Sequence, residues 1–152
     1  MDKIFKINKT TAFIVYIILD TFFVGIGMAI PFLCILFGFA VGWYLSKRLT
    51  ISKMNTNQIL TKILKYGFIT SFITFILMIL IWGPFMTMLL NPNTNFENFG
   101  IPMILYDPKI SFIGWIMLMI FISPFLQLLT TTFASNVSLW RLNKSKIELN
   151  LN

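Results

Sequence analysis

An all-α membrane protein is the fold class this sequence predicts, and three observations predict it. Of 152 residues, 57% are hydrophobic and 11% are charged, against roughly 25% charged in a soluble domain. Long apolar runs alternate with short polar segments. The basic residues gather in those segments and almost nowhere else, which is a pattern of membrane orientation. The expected architecture is a single domain over 1–152: a polytopic bundle of four transmembrane helices near 11–25, 28–45, 66–90 and 110–134. It is placed in the cell membrane with both termini cytoplasmic.

Residues 1–10 are short and basic through Lys3, Lys6 and Lys9, and an apolar run follows from Thr11 to Leu45, interrupted only by Asp20. As one helix, its 35 residues would extend about 52 Å, too long for a single crossing of a roughly 30 Å hydrocarbon core. Gly25, Gly27 and Pro31 supply a place to turn, so the run is read as a tight helix 1–helix 2 hairpin. A secretory signal is the rival reading, with Gly27-Met28-Ala29 as its cleavage site. Pro31 and the apolar run that follows at once argue against it.

A polar linker spans 46–65, followed by an apolar run from Tyr66 to Leu90 that is broken late at Trp82-Gly83-Pro84. The 91–109 loop carries Glu97, Asp107 and Lys109. Its apolar stretch Ile101–Tyr106 is a candidate cap over the short first helices. Ile110 to Ala134 is the last apolar run, interrupted at Ser123-Pro124, and a polar basic tail follows. Pro84 and Pro124 each permit a kink or hinge. Trp82, Trp115 and Tyr106 sit where interfacial anchors are expected.

Charge sets the expected topology. Three Lys/Arg fall in 1–10, five in 46–65 and three in the tail, so eleven of the twelve share one side when both termini and the linker are cytoplasmic. The Asn-x-Ser/Thr matches at Asn8, Asn136 and Asn143 then face the cytoplasm and are discounted as glycosylation sites.

Asp20 is the sharpest single feature. It lies about 13 Å from the start of its run, close to the bilayer midplane, where an ionised carboxylate is expensive unless it is paired or hydrated. The same counting brings Thr74, Ser123 and Gln127 to that depth, and Pro124 leaves the Ile120 carbonyl without its usual donor. One intramembrane polar cluster of Asp20, Thr74, Ser123 and Gln127 is therefore expected. Its plainer role is to hold helices together, and its sharper role is to exchange a proton or cation. Along helix 2, Cys34, Gly38, Gly42 and Ser46 form a stripe of small residues that lets another helix approach closely. That helix belongs either to the same chain, the favoured reading, or to a homo-oligomer or membrane-protein partner.

Catalytic classes find little support. With no His and one Cys, no disulfide framework, zinc site or Cys/His pair can be built within the chain. No cofactor, metal or nucleic acid is expected, although the net charge is +7. The expected function is non-catalytic and accessory, by helix packing in the lipid bilayer. The alternative is a small oligomeric transporter or channel that uses Asp20 for proton or cation coupling.

Overall fold

The computed structural model describes residues 5, 7–26, 32–51, 55–97 and 106–151, without the side chains of 143 and 145–151. It is helical, with no strand among the described residues. The elements are α1 (Lys9–Ile26), α2 (Phe32–Ile51), α3 (Thr56–Trp82), a 3₁₀ helix over Gly83–Leu90, α4 (Pro108–Met117), a π turn over Leu118–Ile122, and α5 (Ser123–Leu151). Because α4, the π turn and α5 run on without interruption, the described residues make four rods.

Apolar residues cover the outside. Phe22, Phe32, Leu64, Phe68, Leu80, Phe125 and Phe133 are all more than half exposed, while Asp20, Ser46, Thr74, Ser123, Gln127 and Ser135 are almost wholly buried. A soluble protein sorts its residues the other way. By length and composition three rods can cross a membrane: Phe32–Ile51, Thr56–Leu90 and Pro108–Leu142. The fourth, α1, has 18 residues and spans about 27 Å.

Contacts fix the directions of the rods. The Arg48 guanidinium at the end of α2 donates to the Ile7 carbonyl just before α1, 2.8 Å away, so α1 and α2 are antiparallel. Gly25 ends α1 in open space; Gly27 and Pro31 lie outside the described residues. Parallel to α1 runs α3, with Tyr16 and Asp20 meeting Thr70 and Thr74. Parallel to α2 runs α5, with Thr130 bonded to the Ile35 carbonyl and Ser135 to that of Gly42.

Three helices run past the apolar segments that announce them. The 46–65 segment is mostly helix: α2 continues to Ile51 and α3 starts at Thr56, where the Asn55 side chain accepts the Thr56 amide at 2.8 Å. Polar side chains do not stop a helix whose inner face still packs. Here Leu49, Ile59, Ile63 and Leu139 close into a small apolar cluster. Leu139 belongs to that cluster from beyond Ala134, which is why the polar tail stays helical in α5.

The prolines act differently from each other. Pro84 has no amide hydrogen to give the Leu80 carbonyl, and the α-helix gives way there to the tighter 3₁₀ helix. Upstream of Pro124 the ladder instead widens to i→i+5 bonds, and the Ser123 amide and hydroxyl both reach the Leu118 carbonyl. In the loop, the Asn91 and Asn95 side chains accept amides two residues on, making compact turns. Phe96 closes over Phe112 with ring centroids 5.0 Å apart. Residues 98–105, which contain most of the candidate cap, lie outside the described residues.

Trp82 and Trp115 are 5% and 7% exposed and pack with Val24, Met78 and Met119 in the larger apolar core. They are core residues, which corrects the expectation of interfacial anchors. Their positions near the ends of apolar runs resemble those of a belt, but the helix face they occupy turns inward. Tyr106 is fully exposed.

Candidate functional site

Between the larger core and the small Leu49 cluster lies a layer of polar side chains. Its centre is Asp20, fully buried near the middle of the rods. On the next turn of α1, four residues back, Tyr16 shares its inner face. The Tyr16 hydroxyl lies 3.1 Å from Asp20 Oδ2, 2.9 Å from the Thr70 carbonyl and 2.9 Å from Thr74 Oγ1. Thr74 donates to Asp20 Oδ2 at 2.6 Å, and Gln127 Nε2 on α5 donates to Asp20 Oδ1 at 3.2 Å. Three of the four rods therefore meet at one carboxyl group.

Of the four residues proposed from the sequence, the structure brings Asp20, Thr74 and Gln127 into contact. Ser123 is buried close by, but its hydroxyl donates to the Leu118 carbonyl at 2.8 Å and serves the π turn. The acceptor at the Pro124 break that takes a cross-helix bond is the Pro124 carbonyl, which receives the Ser71 hydroxyl at 2.5 Å. Tyr16 is the residue that sequence reasoning missed. Its signal was the spacing of four from Asp20, hidden because tyrosine in an apolar run reads as apolar.

Hydroxyl protons can be counted around this carboxyl, since Tyr16 and Thr74 bring one each and Gln127 brings two on Nε2. With Asp20 ionised, Thr74 and Gln127 donate to it and Tyr16 is left to donate to the Thr70 carbonyl or to Asp20. With Asp20 protonated, a carboxyl that donates to Thr74 lets the hydroxyls point on in series towards Thr70. Every oxygen in that series then has a partner. Gln127 Oε1 is buried and has none. A half-turn of its amide would set Oε1 against Asp20 Oδ1, a contact that only a protonated carboxyl satisfies. Tyr16, Thr74 and Gln127, which bond to Asp20, are all uncharged.

The small-residue stripe faces α5 of the same chain, not α1. A Cβ on Gly38 would come within 2.7 Å of the Gln127 carbonyl, and one on Gly42 would sit 3.0 Å from Ala134 Cβ. Ser46 donates to the Ser135 carbonyl at 3.0 Å, and Ser135 returns a bond to the Gly42 carbonyl at 3.0 Å. Cys34 heads the stripe, almost wholly buried. This seam holds α5 in the register that carries Gln127 to Asp20. Asp107, just before α4, caps that helix by accepting the Lys109 and Ile110 amides. Among the described residues no group of three or more His, Cys, Asp or Glu side chains comes together.

The fold and the site define an all-helical chain with three rods fit to cross a membrane and a lone acid locked among hydroxyls and an amide. The chain matches no family model, no curated protein and no solved structure, so its chemistry is read from its own residues.

Proposed function

We propose that this is a non-catalytic, four-span membrane protein of the cell membrane, acting as an accessory component through helix packing. In this reading α1 is the fourth span, and both termini and the α2–α3 turn face the cytoplasm. The observation that carries it is the saturation of Asp20. The carboxyl is wholly buried, and uncharged donors from α1, α3 and α5 use its oxygens. A group so enclosed serves as a bolt between rods. The charge distribution supports the orientation, since Lys9, Arg48 and Lys62 gather at one end of the described rods and Glu97 and Asp107 at the other. A homo-oligomer or membrane partner would meet the outer faces, because α5 already fills the Gly38–Gly42 seam.

The experiment compares Asp20→Asn with Asp20→Leu in purified protein. Asparagine keeps an acceptor for Thr74 but cannot ionise. Leucine leaves Thr74 and Gln127 without their acceptor, a loss of about 1–3 kcal/mol. The structural role requires Asn to unfold near the wild-type temperature and Leu well below it.

One observation favours the second reading, a proton- or cation-coupled transporter. The Tyr16 hydroxyl touches Asp20 while its ring lines a cavity between α1, α2 and α3. Proton flux into liposomes that vanishes in Asp20→Asn while the protein stays folded would replace the accessory role with this one.

A further inference from the structure

The cavity that Tyr16 lines has a volume of about 650 Å³, within the roughly 300–1,000 Å³ of small-ligand sites. It lies between the lower half of α1 and the facing parts of α2 and α3. From Lys9 to Leu19 it follows α1 for about 15 Å, half the thickness of the hydrocarbon layer. Its walls are mainly apolar. Phe13, Val15 and Leu19 line it and are also 41%, 48% and 40% exposed, so it opens sideways at hydrocarbon depth. Water gains nothing in such a space, whereas an alkyl chain fills it without losing a hydrogen bond.

At the open lower end stand Lys9, Arg48 and Lys62, and none of the described lining residues is acidic. Arg48 is held in place at that rim, with one guanidinium nitrogen donating to the Tyr44 hydroxyl at 2.7 Å and another to the Ile7 carbonyl at 2.8 Å. A basic pocket between membrane helices at head-group level selects an anionic lipid. Cationic amphiphiles meet three like charges there, and a zwitterionic lipid brings no net charge to offset them.

We propose that this cavity is a binding site for one anionic glycerophospholipid, with an acyl chain between α1, α2 and α3 and the phosphate at Lys9, Arg48 and Lys62. The site rests on the four-span reading only in putting that rim at head-group level. It does not depend on what Asp20 does.

The test uses the purified full chain, delipidated in mild detergent and titrated with phosphatidylglycerol or with phosphatidylcholine of the same acyl chains. Native mass spectrometry counts retained lipid, and thermal unfolding reports its effect. Phosphatidylglycerol should be retained and should raise the unfolding temperature, and phosphatidylcholine should do neither. Lys9→Gln combined with Lys62→Gln should weaken phosphatidylglycerol retention by roughly an order of magnitude. Ala40→Phe places a ring into the cavity from an exposed position of α2. It should abolish retention while leaving the lipid-free unfolding temperature unchanged. Equal retention of the two lipids, or retention unchanged by both variants, would overturn the site. So would uptake of a simple alkyl phosphate in preference to phosphatidylglycerol. Failure of the accessory reading appears elsewhere, in proton flux that depends on Asp20, so the two failures are distinguishable.

Discussion

Tyr16 binds Asp20 along one helix and Thr70 across to another, and its single hydroxyl lies 3.1 Å from the first and 2.9 Å from the second. It ties α1 to α3 at the depth where α1 meets polar partners among the described residues. Tyr16→Phe keeps the ring, which stacks on Phe37 at 5.6 Å, and removes only the hydroxyl. Asp20 retains Thr74 and Gln127. The expected loss is about 0.5–1.5 kcal/mol, read from unfolding in detergent. Combining it with Thr74→Val in a double-mutant cycle should show coupling, because the two hydroxyls share Oδ2 as acceptor. Strict additivity would mean that the hydroxyls act independently of Asp20.

The α2–α5 seam separates tight glycines from loose ones. At Gly42 an added Cβ overlaps the Thr131 backbone, which cannot move aside without shifting α5. Gly42→Val should therefore destabilise the chain by at least about 1–3 kcal/mol, as overpacking does. Gly114 on α4 has nothing within 4 Å of its Cβ position, so Gly114→Ala should be neutral or stabilising by up to about 1 kcal/mol. If the two variants unfold alike, α5 does not pack on α2 as described.

How much of this was legible beforehand depends on what each residue does locally. Four helical rods followed from apolar runs, because inside hydrocarbon a backbone has no better partner than itself. Asp20, Thr74 and Gln127 stood out because polar side chains in apolar runs are few and their depth follows from counting. Ser123 misled because the count gives depth but not direction, and a serine beside a proline often finds a carbonyl on its own helix. The partner of the Gly38–Gly42 stripe was not legible either. A stripe tells how closely something approaches, and the choice of α5 over α1 is made by Thr130, Thr131 and Ser135 on the far side. The helical parts of 46–65 were hidden by their polarity. Asn55 reads as a loop residue until Ile59 and Ile63 are seen to share a buried face.

That lower cluster yields a third prediction. Ile63 is 3% exposed and packs with Leu49, Ile59 and Leu139 below the polar layer. Ile63→Ala should cost about 2–5 kcal/mol, and Asn55→Ala, which removes only the cap on Thr56, about 0.5–2 kcal/mol. Proteolysis should follow the same order, with Ile63→Ala opening the α2–α3 turn to cleavage first. A wild-type unfolding midpoint for Ile63→Ala would show that the polar ends of α2 and α3 fray apart.

The arrangement of the rods can be read chemically, because the chain has one cysteine and it is buried. Cys34 is 1% exposed, so it should resist a membrane-impermeant maleimide until the protein is denatured. Starting from Cys34→Ala, single cysteines at Asn8, Asn57 and Asn93 occupy exposed positions before α1, at the start of α3 and in the segment that precedes α4. Antiparallel α1 and α2, with α3 parallel to α1, put the first two at one end of the bundle and the third at the other. In intact cells the reagent should label Asn93→Cys and spare the other two, and in inverted vesicles the pattern should reverse. Labelling of Asn8→Cys and Asn57→Cys from opposite sides would mean that α1 and α2 together cross only once. The contact between Arg48 and Ile7 could not then form, and Asp20 would lose the depth it shares with Thr74.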